Sequence, residues 1–296
     1  MSRDEPGKLL DYLSRSAEFF RARGVENPRL SAERLLCAVL DSRRIDLYLQ
    51  FDRPLSPAEV SRYRELVRRR AQGEPLQYIL GTTEFYGREF VVTRDTLVPR
   101  PETETLVEKV LSRMAGRAAP AVADVGTGCG CIAVTIALER PDARVIATDI
   151  SEKALAVARR NAERHGVLER VDFRLGDLLS PLAGEPVQVV VANLPYVSYA
   201  ERPSLPREVR DWEPEVALFA EDDGLAVISR FVAQAPKVVV AGGFVALEIA
   251  MGQAERVVAL WHTFAPGWSV EVEEDLGGVK RIVIAAETGG CGTRKA

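Results

Sequence analysis

Histidine is almost absent from this sequence of 296 residues, which contains only two. The four cysteines, Cys37, Cys129, Cys131 and Cys291, are scattered along the chain. That pattern forms neither a zinc-ligand set nor a disulfide framework, so no metal is expected and a reducing cytosol fits. No uninterrupted apolar run approaches the length needed to cross a bilayer, which argues against a membrane role. Met1-Ser2-Arg3-Asp4-Glu5 carries acids at once with no apolar block behind it, so no signal or transit peptide is expected. Strong positive charge is missing too. The net charge is −4, and it is unevenly shared: residues 1–80 hold 15 Lys/Arg against 12 Asp/Glu, while the remainder is acidic. An acidic larger part argues against stable binding of a long nucleic-acid duplex through its phosphates.

The length suits one large α/β domain with a smaller companion. Leu9, Leu10, Tyr12, Leu13, Ala17, Phe19 and Phe20 recur with helical spacing, and Leu30 through Leu40 do so again. Ser56-Pro57-Ala58-Glu59 reads as a helix start, with Ser at the cap, Pro in the first turn and Glu returning the capping bond. Arg68-Arg69-Arg70 closes that helix, where positive charge suits the dipole. Glu84 to Thr93 alternates aromatic and polar residues around a glycine and predicts a β-hairpin. From about Pro101 strands and helices alternate, with strands expected at 121–125, 144–149, 170–175, 187–192 and 244–249. Two final strands, 268–274 and 280–286, are joined by five residues, too few for a crossover helix, so they must pair antiparallel. The expected organisation is a helical domain at 1–80, a hairpin linker at 81–98, an α/β domain at 99–287 and a disordered tail at 288–296.

The first strand of the α/β part, Ala121–Val125, runs into Gly126-Thr127-Gly128-Cys129-Gly130. Glycines at a strand-to-helix turn let the backbone approach a ligand closely. Dinucleotide-binding turns use G-x-G-x-x-G, and here the third glycine arrives one residue early. The pattern D-x-G-x-G-x-G resembles instead the turn that holds S-adenosylmethionine, which has no pyrophosphate. Asp149 ends the second strand about twenty residues later, where a carboxylate accepts from ribose hydroxyls. As an alternative, Asp149 caps the following helix, although Ser151 is placed to do so itself. Gly176-Asp177-Leu178 ends the third strand, with Asp177 placed for an adenine amino group and Leu178 for its face. Cys129 and Cys131 read as small residues at a tight bend.

The fourth strand ends in Asn193-Leu194-Pro195-Tyr196. This resembles the motif of methyltransferases that act on planar nitrogens, either an adenine amino group or a glutamine amide. Such a nitrogen has its lone pair delocalised and is a poor nucleophile. Acceptors aimed at its two N–H groups hold it in place and stabilise the developing positive charge. The Asn193 oxygen and a carbonyl of Leu194 or Pro195 supply those acceptors, and Tyr196 offers a flat surface.

Glu74-Pro75-Leu76-Gln77-Tyr78-Ile79-Leu80-Gly81, Glu84-Phe85-Tyr86-Gly87 and Leu97-Val98-Pro99-Arg100-Pro101-Glu102-Thr103-Glu104 separate these options. With Glu213-Pro214-Glu215, Asp223-Gly224-Leu225 and Leu247-Glu248-Ile249, they closely resemble the release-factor glutamine N5-methyltransferases of the HemK/PrmC type. The resemblance implies a Rossmann-like class I methyltransferase sheet with an antiparallel last strand, beside a small helical domain that docks the substrate. It implies a cytoplasmic, monomeric enzyme that uses S-adenosylmethionine and yields S-adenosylhomocysteine. Its substrate would be the Gly-Gly-Gln glutamine of class I peptide chain release factors. Gly126 through Gly130, Asp149, Leu178 and Asn193 would bind the cofactor, and Asn193, Leu194, Pro195 and Tyr196 the glutamine. Leu194 replaces the more usual first proline, and Ala250 stands where glycine commonly follows Glu-Ile. An N6-adenine methyltransferase acting on RNA or DNA, or an S-adenosylmethionine-binding protein without catalysis, are the rival readings.

Overall fold

The computed structural model describes residues 7–287, which fall into two compact units. The expected disorder of 288–296 lies outside the described residues.

The first unit runs to Thr82 and takes in Pro206–Trp212 from much later in the chain. Its helices are α1 (Leu9–Arg21), α2 (Pro28–Leu40), α3 (Arg44–Leu49), α4 (Pro57–Ala71) and α5 (Leu76–Leu80). On α1 the buried residues Leu9, Leu13, Ala17 and Phe20 form one stripe, while Leu10 and Phe19 stand 40% and 38% exposed. Fully burying one such Leu or Phe contributes about 1.5–3 kcal/mol. The capping box at Ser56 forms as expected. Ser56 Oγ accepts from the Glu59 N–H at 3.3 Å, and the Ser56 N–H donates to the Glu59 carboxylate at 2.7 Å.

At the other end of α4, the arginines do more than match the dipole. Arg69 donates twice to Glu74, at 2.8 and 2.7 Å, and buried Arg70 donates to the Glu74 carbonyl at 2.9 Å. Arg70 also pairs with Glu208, which attaches the helix Arg207–Trp212 to this unit. Glu33, buried on α2, accepts from Arg29, Arg44 and Tyr48. Burial pushes its carboxyl up, but these donors outweigh burial and hold it below the ordinary value.

The second unit begins with a hairpin, β1 (Thr82–Phe85) and β2 (Arg88–Val91), turned by Tyr86 and Gly87 at φ 52° and 68°. Two central residues at positive φ match the twist of the strands they join. Buried Asn161 holds the hairpin: it accepts from the Val91 N–H at 2.7 Å, and its amino group donates to the carbonyls of Val91 (2.9 Å) and Cys129 (2.8 Å).

The main sheet contains β3 (Ala121–Val125), β4 (Arg144–Asp149), β5 (Val171–Leu175) and β6 (Val187–Asn193). After the small parallel pair β7 (Val197–Ser198) and β8 (Phe219–Ala220) come β9 (Val239–Glu248), β10 (Trp268–Glu274) and β11 (Lys280–Glu287). The seven-stranded order is β10-β11-β9-β6-β3-β4-β5. Five strands are parallel; β11 runs antiparallel between β9 and β10. Strand β9 starts at Val239, five residues before the sequence pattern predicts. Gly242 and Gly243 interrupt its apolar run, and the register with β6 shifts there. Helices α6 (Pro101–Arg113), α7 (Cys131–Glu139) and α8 (Glu152–Arg164) follow or precede these strands, with Ala226–Gln234 and Ala254–Phe264 later. A core of Val187, Val190, Phe231, Val257 and Trp261, all essentially inaccessible, packs one face.

Candidate active site

From β3 the chain moves outward through β4 to β5, whereas β6 and β9 lie on its other side. Ligands of open α/β sheets bind where strand order reverses in this way, beyond the carboxyl ends of the strands. The register brings those ends together: Val125 faces Thr148 and Ala192, and Asn193 faces Glu248. A cavity of about 460 Å³ opens there, entirely within the second unit.

Gly126, Gly128 and Gly130 bend the chain after β3 with φ of 74°, 56° and 83°, which side chains rarely adopt. Gly126 and Gly128 border the cavity. Thr127, Cys129 and Gly130 build the turn from behind. The Thr127 hydroxyl donates to Asp124 at 2.6 Å, the Cys129 carbonyl accepts from Asn161, and a Cβ on Gly130 would stand 3.0 Å from Ala158. Asp124 also accepts from the Ala133 N–H at 3.0 Å, and burial pushes its carboxyl up to about 7. Cys131 borders the cavity, and its contact with the Cys129 thiol and its burial raise it well above the ordinary thiol range. It therefore stays protonated and is a poor nucleophile or ligand.

Asp149 borders the cavity and accepts from the N–H of Gly128 at 2.9 Å and of Ser151 at 2.8 Å. Ser151 caps α8 itself, accepting from the Ala154 N–H at 3.2 Å. Burial raises the Asp149 carboxyl despite those backbone donors. Leu178 sits at φ 52° with its carbonyl held by the Thr148 hydroxyl at 3.1 Å, and it borders the cavity as Ile150 does. Asp177 is on the rim, paired with Arg230. Both partners are half-exposed, so the pair contributes at most about 1 kcal/mol.

Asn193, Leu194 and Pro195 also line the cavity, beside the glycine turn: a Cβ on Gly126 would lie 3.2 Å from the Leu194 side chain and 3.7 Å from the Asn193 carbonyl. The Asn193 amino group donates to Thr103 Oγ1 at 3.0 Å, and the Thr103 hydroxyl donates to Glu248 at 2.8 Å. Tyr196 departs from the flat surface expected of it. Its ring is partly buried against the sheet core, with its hydroxyl 3.4 Å from Glu248, and it is not among the residues that line the cavity. Its backbone is fixed from behind by Gln253, which donates to the Tyr196 carbonyl at 3.0 Å. A Cβ on Gly224 (φ 84°) would lie 2.0 Å from that carbonyl, so only glycine fits. The aromatic rings at the cavity are Tyr199 and Phe219, stacked at 5.1 Å and 20°. Arg100 borders the cavity and is held by buried Glu213 at 2.6 Å.

Thr103 and Glu248 fall in stretches that carry the family resemblance but had no role assigned, and Tyr199, Phe219 and Ile150 lie outside the quoted motifs. One signal existed for Glu248: an acid closing the apolar run Phe244–Leu247.

A largely parallel sheet closed by an antiparallel pair, with a glycine turn and a carboxylate at the strand-order reversal, defines a class I methyltransferase domain. Residues 101–205 match the methyltransferase small domain, and residues 11–81 match the PrmC N-terminal domain. The release factor glutamine methyltransferase of Nitratidesulfovibrio vulgaris is 44% identical over 94% of each chain, and that of Geobacter sulfurreducens 44% identical over 93% of this chain and 94% of its own. The chain belongs to the release factor glutamine methyltransferase family. In fold alone, it is similar to the hMettl16 catalytic domain (TM-score 0.57, 14% identity, 77% of this chain and 84% of that one). It is likewise similar in fold to a methyltransferase from Pyrococcus furiosus (TM-score 0.50, 19% identity, 68% and 89%).

Proposed function

We propose that this chain methylates the side-chain amide nitrogen of the glutamine in the Gly-Gly-Gln loop of class I peptide chain release factors, using S-adenosylmethionine. The observation that carries this reading is the Asn193 amide, at the cavity, with its amino group turned away to Thr103. Its oxygen is left to accept from a planar NH₂ group.

The residues of the cavity fit the cofactor. Asp149 has lone pairs for ribose hydroxyls, Ile150 and Leu178 offer apolar surfaces for a base, and Gly126 and Gly128 let the backbone come close. When bound, S-adenosylmethionine supplies an electrophilic methyl group on a sulfonium. The chain's own part is to hold the acceptor. Asn193 Oδ1 and a carbonyl of Leu194 or Pro195 accept the two amide N–H bonds, which places the nitrogen lone pair out of the plane. Pro195 fixes its own φ and steadies that carbonyl. Held this way, the amide nitrogen would present its lone pair to the methyl group that the bound cofactor would supply, with the S–C electron pair left on sulfur. Asn193 Oδ1 then stabilises the positive charge until the nitrogen gives a proton to water. Tyr199 and Phe219 supply the flat wall for the substrate. The helical unit docks the release factor, and the enzyme works in the cytoplasm as a monomer.

The test is incubation of the purified chain with methyl-labelled S-adenosylmethionine and either an unmodified class I release factor or RNA. Label on the Gly-Gly-Gln glutamine, located by mass spectrometry, is the expected result. Label on RNA adenine with none on the glutamine would replace this reading with that of a nucleic-acid methyltransferase.

A further inference from the structure

Glu248 sits at the end of β9, opposite Asn193 on β6, and is almost wholly buried. The groups facing it come from every neighbouring element. Thr103 and Glu102 belong to α6, Arg281 to β11, and Tyr196 to the loop after β6. Among the described residues no ion pair joins it; Arg281, whose Nε donates to Asp275 at 2.8 Å, acts on it as a charge at longer range. Its two close donors are hydroxyls, Thr103 at 2.8 Å and Tyr196 at 3.4 Å.

These contacts set a direction. An ionised carboxylate only accepts, and a threonine hydroxyl has one proton to give. With that proton spent on Glu248, Thr103 Oγ1 can only accept from Asn193, across 3.0 Å. Asn193 must then turn its amino group to Thr103 and its oxygen to the cavity. A proton on Glu248 reverses the chain. The carboxyl can donate to Thr103, the Thr103 hydroxyl can donate to Asn193 Oδ1, and the Asn193 amino group swings to the cavity. An incoming amide NH₂ would then meet donors instead of an acceptor.

We propose that Thr103 and Glu248 are positioning residues: their hydrogen-bond chain holds Asn193 with its oxygen toward the substrate amide, and protonation of Glu248 reverses that chain and suppresses methyl transfer. This rests on the assignment of Asn193 as the acceptor for the glutamine amide. Burial raises the Glu248 carboxyl to about 7, opposed by the Thr103 hydrogen bond and Arg281 and aided by Glu102, so the reversal falls within a usable pH range.

The experiment measures kcat, KM for unmodified release factor and Kd for S-adenosylhomocysteine, with pH profiles, in the full chain. Thr103→Val is expected to lower kcat about 10- to 100-fold, the cost of one polar contact to a reacting group, with cofactor Kd within about threefold. Thr103→Ser restores the hydroxyl and should recover most of kcat, which separates hydrogen bonding from a loss of folding. Wild-type kcat should fall about tenfold per pH unit below the Glu248 pKa, and Glu248→Gln, which still accepts from Thr103, should lack that limb. Thr103→Val at wild-type kcat, no rescue by Thr103→Ser, or an unchanged acid limb in Glu248→Gln would each overturn the relay. A wild-type chain that labels no glutamine overturns the underlying functional reading instead, which keeps the two failures apart.

Discussion

Glu33 in the helical unit and Glu248 in the sheet unit are equally hidden from water, each 1% exposed, and have opposite surroundings. Glu33 accepts from two guanidinium groups and a tyrosine hydroxyl, so its charge is matched and its carboxyl is held low despite burial. Among the described residues the donors to Glu248 are hydroxyls, and burial raises it to about 7. A matched buried charge specifies structure, and an unmatched one is costly and is retained where chemistry uses it. The helical unit spends its buried Arg70 on a pairing with Glu208, whereas the sheet unit keeps Asp124, raised to about 7, beneath the glycine turn.

The largest expected effect comes from breaking the matched charge. Glu33→Ala removes the shared acceptor of Arg29, Arg44 and Tyr48; the arginines, 39% and 52% exposed, recover part of the loss from water, so the helical unit should lose about 2–4 kcal/mol in urea unfolding. Glu248→Gln should act in the opposite sense. A carboxyl whose folded pKa is raised contributes stability below its unfolded value of about 4.3, and that contribution is lost as pH rises through about 7. Above pH ~7 the variant should therefore be more stable than wild type, by roughly 2–4 kcal/mol, with the difference vanishing toward pH ~4. For Glu33 the sign is reversed, since its stabilisation is present above the unfolded pKa and is lost as pH falls. Smallest are the tyrosines. Tyr48→Phe removes a donor to an ionised Glu33 and should cost about 1–2 kcal/mol. Tyr196→Phe removes a long contact of 3.4 Å and should cost less than about 1 kcal/mol. Equal losses in both, measured by thermal unfolding, would erase the distinction between the two sites.

The glutamate of the helical unit and that of the sheet unit differ also in how far sequence reveals them. Local patterns were legible: the capping box at Ser56, the hairpin around Gly87, and the glycine turn followed by Asp149 at the next strand end. Each depends on spacings of a few residues or on one strand-helix-strand step. The Thr103–Glu248 contact joins residues 145 positions apart, and no local periodicity encodes it. The hold on the Tyr196 carbonyl likewise comes from a distance, from Gln253 and from the close approach of Gly224. The capture of Pro206–Trp212 by the helical unit depends on Arg70 meeting Glu208, again a long-range pairing. The place of β11 between β9 and β10 had a signal that pairing alone did not use. Its run Ile282–Ala286 is apolar on both faces, as an interior strand requires, whereas β10 carries Glu271, Glu273 and Glu274, as suits an edge.

In the proposed function, Asn193 holds the amide nitrogen of the substrate, while Asp149, Leu178 and the glycine turn hold the cofactor. Asn193→Ala tests it most directly, through kcat on unmodified release factor and Kd for S-adenosylhomocysteine measured on the same preparation. The expected result is a fall in kcat of about 10²–10³-fold, as for loss of one preorganised polar group at a reacting centre, with Kd changed by less than about threefold. Collapse of cofactor affinity with kcat preserved at saturation would contradict it.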